Sequence, residues 1–289
     1  MAWTLSSSLD DFRDQAGGFL AAHPAQNTVL LTVVHRLVER GPDAFGPQPP
    51  VFGWWRPRTG GPVEGAFLQT PPFEPRLALM PTAAAASLAA ELASAGAAVT
   101  RFGGVSGSTA AVRAFAAAWT AATGAGHTVR GEERLYRLVE PSGPPRPPAG
   151  RSRLAEPADR ELAIRWYDEF LAEAGVLLPD VPQAVDDRIA AGGLHLWEDD
   201  GSPVALAGSS PVIAGMSRIG PVYTPVDRRG RGYASAVTAA ASAHALALGA
   251  AEVLLYTDLA NPTSNSIDQQ IGYRAVEDCL SVDFAGQNT

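Results

Sequence analysis

Between Pro141 and Gly150 the chain reads Pro-Ser-Gly-Pro-Pro-Arg-Pro-Pro-Ala-Gly. Proline fixes φ and offers no N–H, so such a stretch can be neither helix interior nor inner strand. It reads as a semi-rigid linker that cuts the 289 residues into two parts of similar size. The expected layout is a domain over 1–140, a linker over 141–152 and a second domain over 153–289.

In the first part, periodicity predicts a helix over Leu20–Val38 and strands at Val51–Trp55, Val63–Leu68 and Arg76–Leu79. Helices follow at Ala83–Ala95, with Gly96 as its stop, and at Thr109–Ala122, and a last strand covers Leu135–Val139. The second part predicts helices from Asp159 to Gly175 and over Pro182–Ala191. Next comes an antiparallel meander of Leu194–Trp197, Val204–Ala207 and Ser217–Tyr223, its first two strands joined by Asp199-Asp200-Gly201. A helix over Tyr233–Leu248, a strand over Val253–Thr257 and a helix over Pro262–Ile271 complete it, Asn261 serving as N-cap of the last helix and Gly272 as its stop. The two parts share a strand-then-helix order that suggests an internal duplication.

Composition excludes several function classes. Net charge is −8, with the acidic excess in the second half, so no broad basic surface exists to neutralise nucleic-acid phosphates. A single cysteine and five scattered histidines offer no disulfide and no structural zinc site, so no metal is expected. No segment approaches the length of a membrane span and the N-terminus lacks a signal pattern, so a soluble cytoplasmic protein is expected, monomer or homodimer. Every basic residue is arginine; with no lysine a P-loop is impossible, and biased coding accounts for the composition.

One segment carries chemistry. Arg228-Arg229-Gly230-Arg231-Gly232 links a strand to the start of a helix, where unpaired N–H groups and the helix dipole favour an anion. The glycines let phosphate oxygens approach the backbone, and the arginines add positive charge, which points to a pyrophosphate. A dinucleotide-binding reading lacks its third glycine, although Asp258 could serve as its ribose-binding acid. Gly104-Val105-Ser106-Gly107-Ser108 lacks the final glycine of a nucleophile elbow, which excludes a hydrolase of that type.

Arg229-Gly230-Arg231-Gly232-Tyr233-Ala234 follows the [QR]-x-x-G-x-[GA] pattern of the GNAT superfamily of N-acetyltransferases, and Val222-Tyr223-Thr224 stands where that family's fourth strand ends. Asn261 to Ile267, followed by Ile271-Gly272-Tyr273, resembles the family's Asn-initiated helix and its Gly-aromatic ending. The resemblance covers residues 153 to 284. The whole chain resembles a two-domain subgroup whose N-terminal half is a degenerate copy, with Phe102 to Gly107 lacking the arginine-glycine signature.

The fold implied is α/β (α+β): tandem GNAT-like domains, each a mixed, mostly antiparallel sheet flanked by helices. The activity implied is transfer of an acyl group, usually acetyl, from coenzyme A to an amine, directly in a ternary complex, with a small-molecule acceptor. By resemblance, the donor is held by Val222, Tyr223, Thr224, Arg229, Gly230, Arg231, Gly232, Tyr233, Ala234, Asn261 and Asn265. Backbone N–H at Val222 or Tyr223 serves as oxyanion donor.

The sequence departs from the family seven residues after Asn261, where many members carry a thiolate-protonating tyrosine and this chain has Asp268. A neutral, buried Asp268 could fill that role, or the thiolate could leave through water, Tyr256 or Tyr273; an ionised Asp268 would repel the thiolate and impair transfer, and the bland alternative is an exposed helix aspartate of no consequence. Asp258, Glu173 and His195 are candidates to deprotonate the amine, each with a bland alternative as a solvated or spectator residue. Cys279 is expected to be buried and inert. The alternative functions are a CoA-binding sensor without turnover and, more remotely, a dinucleotide-binding protein.

Overall fold

The computed structural model describes residues 2–95, 102–176 and 178–285. Gly96, the expected stop of its helix, lies outside them. Two compact units emerge, one of residues 1–135 with 276–289 and the other of residues 136–275.

Unit 1 runs β1 (Ala2–Ser6), α1 (Leu9–Ala22), α2 (Thr28–Arg40), β2 (Val51–Arg56), β3 (Gly65–Gln69), β4 (Arg76–Leu77), α3 (Thr82–Ala95), β5 (Gly104–Ser108), α4 (Thr109–Thr123) and most of β6 (His127–Leu138). Unit 2 runs β7 (Arg151–Leu154), α5 (Arg160–Ala174), α6 (Val181–Ala190), β8 (Leu194–Asp199), β9 (Ser202–Ser209), β10 (Met216–Tyr223), α7 (Tyr233–Ala247), β11 (Glu252–Asp258), α8 (Pro262–Gln270) and the start of β12 (Tyr273–Phe284).

The order of elements is the same in both. So is the pairing: β1–β2–β3–β4 and β7–β8–β9–β10 are antiparallel ladders, while β4–β5 and β10–β11 are parallel. A parallel pair requires a crossover, and the crossover helices are α3 and α7.

Two boundaries depart from those expected. Residues 276–284 complete unit 1, because β12 runs antiparallel to β5 from Cys279↔Ser108 to Asp283↔Gly104. Leu280, Val282 and Phe284 thereby join a core with Phe102, Phe115 and Trp119. Conversely β6 lies next to β11 in the strand order, and its residues from Tyr136 onward belong to unit 2. Ser106 of the supposed elbow is a buried strand residue opposite Ser281.

The helix expected over Leu20–Val38 is two helices, because Pro24 lacks the N–H that a continuous helix would need. The break is held by Asn27, whose amide donates to the Leu20 carbonyl at 3.3 Å and whose oxygen accepts from the Leu79 N–H at 2.9 Å.

In unit 2 the sheet is covered on both faces. Leu194, Leu196, Leu206 and Tyr223 pack against Trp166, Tyr167 and Val185 of α5 and α6. Ala205, Ala207, Val253 and Leu255 pack against Val237 and Ala241 of α7. Two covered faces explain why His195 is buried rather than turned to solvent. Alternation aims it at α7, its ring 4.9 Å from that of His244. The β8–β9 turn is as expected, with Asp200 and Gly201 both at positive φ.

Candidate active site

β10 pairs with β9 as far as Tyr223↔Leu206, with a register shift between Ile219 and Val222. Its parallel pairing with β11 ends sooner, at Ile219↔Leu255, although β11 continues to Asp258. Pro221 lacks an N–H and the register shift turns the strand, so the last residues of β10 and β11 separate. The opening presents backbone polar groups of Pro221 to Tyr223 and of Tyr256 to Asp258 to any extended ligand entering it.

The chain leaves β10 through a short 3-10 helix at Val226–Arg228 and reaches α7 through Gly230 and Gly232, at φ 75° and 85°. Side chains other than glycine rarely adopt these angles. No side chain caps α7, and the first N–H taken up by backbone is that of Ala236, which donates to Gly232 at 3.0 Å. The preceding N–H groups of the first turn are therefore open at the positive end of the helix.

Each of the three loop arginines has a partner within the protein. Arg229 donates Nε to the Thr224 carbonyl at 2.9 Å and Nη2 to both carboxylate oxygens of Glu173 at 2.7 Å, and lies over the Tyr223 ring at 5.8 Å. It braces the end of β10 against α5. Arg228 pairs with Asp227 at 3.2 Å, and Arg231 donates to the Asp227 carbonyl at 3.5 Å. Glu173 is thus engaged as an ion-pair partner. Tyr233 is buried and its hydroxyl donates to Asp199, which fixes the start of α7 to the β8–β9 turn.

On the α5 side, Tyr223 packs on Trp166 with ring centroids 6.3 Å apart, and its hydroxyl is hydrogen-bonded to Glu169. Burial first, and then the Glu169 carboxylate, push that hydroxyl up to about 12. Glu169 is exposed beside the end of β10. Sequence reasoning passed over it in favour of Glu173, one turn further along the same helix, which was the signal available.

On the far side of the opening, Asp258 closes a turn. Its carboxylate accepts from the Ala260 N–H at 2.8 Å, and its carbonyl accepts from the Asn261 N–H and from Asn265 Nδ2. Asn261 caps α8, its side chain accepting from the Ser264 N–H at 3.0 Å, as expected. Asn265 accepts from the Tyr136 hydroxyl at 2.8 Å and donates to the carbonyls of Asp258 and Asn261. These three side chains build the β11–α8 connection.

Asp268 is the buried residue of α8, 7% exposed, and one of its oxygens accepts from the Thr257 hydroxyl at 2.6 Å. Desolvation raises its pKa to about 6, against the lowering effect of the Thr257 hydrogen bond. Tyr273, hydrogen-bonded to Ser242 at 2.7 Å, is buried and its pKa is shifted far upward by that burial, so its hydroxyl stays protonated. His195, with its neutralising burial, lies among α7 and β8 side chains away from these groups.

The site therefore brings together the separated ends of β10 and β11, the open start of α7 and the carboxyl of Asp268 beneath β11. Residues 163–273 match the model of the acetyltransferase (GNAT) family. The chain carries a GNAT acetyltransferase domain.

Solved GNAT structures share the fold over both units. An acetyltransferase of the GNAT family from Colwellia psychrerythraea is 14% identical, covering 98% of this chain and 99% of its own, with a TM-score of 0.60. A GCN5-related N-acetyltransferase from Sphaerobacter thermophilus is 15% identical over 97% of this chain and 94% of its own, TM-score 0.61. One from Kribbella flavida is 19% identical over 77% and 87%, TM-score 0.54. No curated protein matches the sequence significantly. The GNAT match makes this an acyl-CoA-dependent N-acetyltransferase in general terms. No helix among the described residues is long and apolar enough to cross a membrane.

Proposed function

We propose that unit 2 transfers an acyl group, acetyl in the first instance, from coenzyme A to the amine of a small molecule, directly in a ternary complex. The observation that carries this is the convergence of the β10–β11 opening, the uncapped start of α7 at Gly232 and the buried Asp268. The amides of Gly230 to Ala234 receive the pyrophosphate, and the separated strand ends pair with the pantetheine amides. The acyl-CoA supplies a thioester; the protein's part is to align it with the amine and manage the protons.

The Val222 or Tyr223 N–H donates to the thioester oxygen as negative charge develops there. As the amine nitrogen bonds to the carbonyl carbon and the carbon–sulfur bond breaks, Asp268 gives its proton to the departing sulfur. A carboxyl with a pKa near 6 is about a tenth protonated at pH 7, and the developing thiolate favours its neutral form further. The surplus amine proton leaves through Glu169, the exposed carboxylate beside Tyr223. Glu169 and the acidic face of α5 suit a cationic small amine over an anionic one.

Unit 1 is the degenerate copy in this reading. Its equivalent of the arginine-glycine loop is Leu79-Met80-Pro81-Thr82 before α3, where the Leu79 N–H is already taken by Asn27 and no glycine opens the backbone. Phe102 to Gly107, set against the signature in the sequence, corresponds instead to β11. An amine screen that follows thiol release from acetyl-CoA tests the proposal: release with an amine supports it. Tight CoA binding without release from any acceptor would leave a CoA sensor, the reading that an ionised Asp268 favours.

A further inference from the structure

The proline-rich segment is no free tether. At one end the Val139 and Glu140 N–H groups donate to the Gly272 carbonyl, and Ser142 donates its N–H to Ile271 at 3.2 Å and its hydroxyl to the Gln270 carbonyl at 3.1 Å. At the other end Trp197 Nε1 donates to the Ala149 carbonyl at 2.8 Å, and Gly150 lies against the Glu198 carbonyl so closely that no side chain fits. Four prolines, Pro144, Pro145, Pro147 and Pro148, stiffen what lies between.

Midway, the segment passes the start of α7. A Cβ built on Gly232 would lie 3.6 Å from the Arg146 carbonyl oxygen and 3.8 Å from Pro148 Cδ. Contact is on the Cα side of Gly232, and no described residue of the segment hydrogen-bonds the N–H groups of residues 230–235. The segment borders the anion site without occupying it.

Arg146 is exposed, and among the described residues it has no hydrogen bond and no ion pair. Arg228, Arg229 and Arg231 are each engaged within the protein. A cation fixed by its backbone beside the open amides, with its side chain uncommitted, is what an extra phosphate group needs.

We propose that Arg146, from the proline-rich segment between β6 and β7, is a phosphate ligand of the acyl donor that supplements the loop amides. This rests on the acyl-CoA reading of unit 2. An arginine also gives two N–H groups to one phosphate, which lysine cannot match.

Calorimetry on the full chain with CoA, 3′-dephospho-CoA and pantetheine tests it. R146A should weaken CoA about tenfold and R146K less, with pantetheine unaffected by either. Loss confined to CoA assigns the contact to the 3′-phosphate; equal loss for CoA and dephospho-CoA assigns it to the pyrophosphate. R146A with wild-type affinity for both nucleotides overturns this inference alone. Wild-type protein that binds neither nucleotide overturns the acyl-CoA reading as well.

Discussion

The Thr257 hydroxyl donates to the Asp268 carboxylate at 2.6 Å, so the residue proposed as the general acid is tied to the end of β11 where the sheet opens. Thr257 lowers the pKa of Asp268 and burial raises it, with burial prevailing at about 6. As a general acid Asp268 works in its protonated form, so kcat falls as pH rises through its pKa in the donor complex. Asp268→Asn should remove that limb and lower kcat tenfold or more, about 1.4 kcal/mol of transition-state stabilisation, with little change in CoA affinity. Thr257→Val should move the limb to higher pH, and Asp268→Tyr should keep or raise activity. A kcat for Asp268→Asn equal to wild type across pH would make it a bystander.

Stability should carry two opposing pH dependences. His195 is held neutral, its pKa lowered to about 4 by burial and, secondarily, by His244. The unfolded chain takes up that proton below about 6.5, so this contribution is complete above 6.5 and is lost as pH falls toward 4. Asp268 has the reverse sign: its raised pKa gives a contribution present below 3.8 that is lost as pH rises through 6. Relative to wild type, His195→Leu should gain stability as pH falls from 6.5 to 4. Asp268→Asn should gain it as pH rises over 4 to 6. Each difference approaches about 1.4 kcal/mol per pH unit, read by urea unfolding at stepped pH.

Arg229 and Glu173 are both about half exposed, so their pairing should contribute under about 1 kcal/mol to global stability. Its effect belongs to the loop. Arg229→Ala also releases the Thr224 carbonyl, so CoA affinity should drop several-fold while the melting temperature barely moves. Glu173→Gln should show a smaller drop in the same direction. A double-mutant cycle measures the coupling.

Much of this was legible in the sequence, for local reasons. The α8 cap at Asn261, the Gly230 and Gly232 turn and the β8–β9 hairpin are fixed by residues adjacent in the chain, and all are present. What was not legible depends on distant partners. Glycine-rich β5 acquires its strand character from β12, more than 150 residues away, and β1 is short and defined by its pairing with β2. The arginines at 228, 229 and 231 were visible as a cluster of positive charge, whereas Glu173, which engages Arg229, sits on α5, an element whose approach only folding reveals. His195 alternates as a surface residue would, and only α7 makes its face an interior one.

The exchange of last strands predicts a consequence of truncation. Ending the chain at Ala275 leaves the residues of unit 2 complete but deprives β5 of its antiparallel partner and uncovers Phe102, Phe115 and Trp119. Trp119 fluorescence and amide exchange should report loss of order in α4 and β5, with the α7 amides better protected. Uniform protection in both units would contradict the assignment of 276–284 to unit 1.

The central claim is that one acyl-CoA binds at the start of α7. Isothermal titration of acetyl-CoA into wild type and Gly232→Asp tests it most directly, because the substitution places a carboxylate, and a side chain at φ 85°, where the phosphates would lie. The account predicts a stoichiometry of one per chain, the corresponding loop of unit 1 having no glycine and its Leu79 N–H already taken, and loss of binding in the variant by a hundredfold or more, about 2.7 kcal/mol. Binding that survives Gly232→Asp at wild-type affinity, or none by wild type at sub-millimolar concentration, would contradict it.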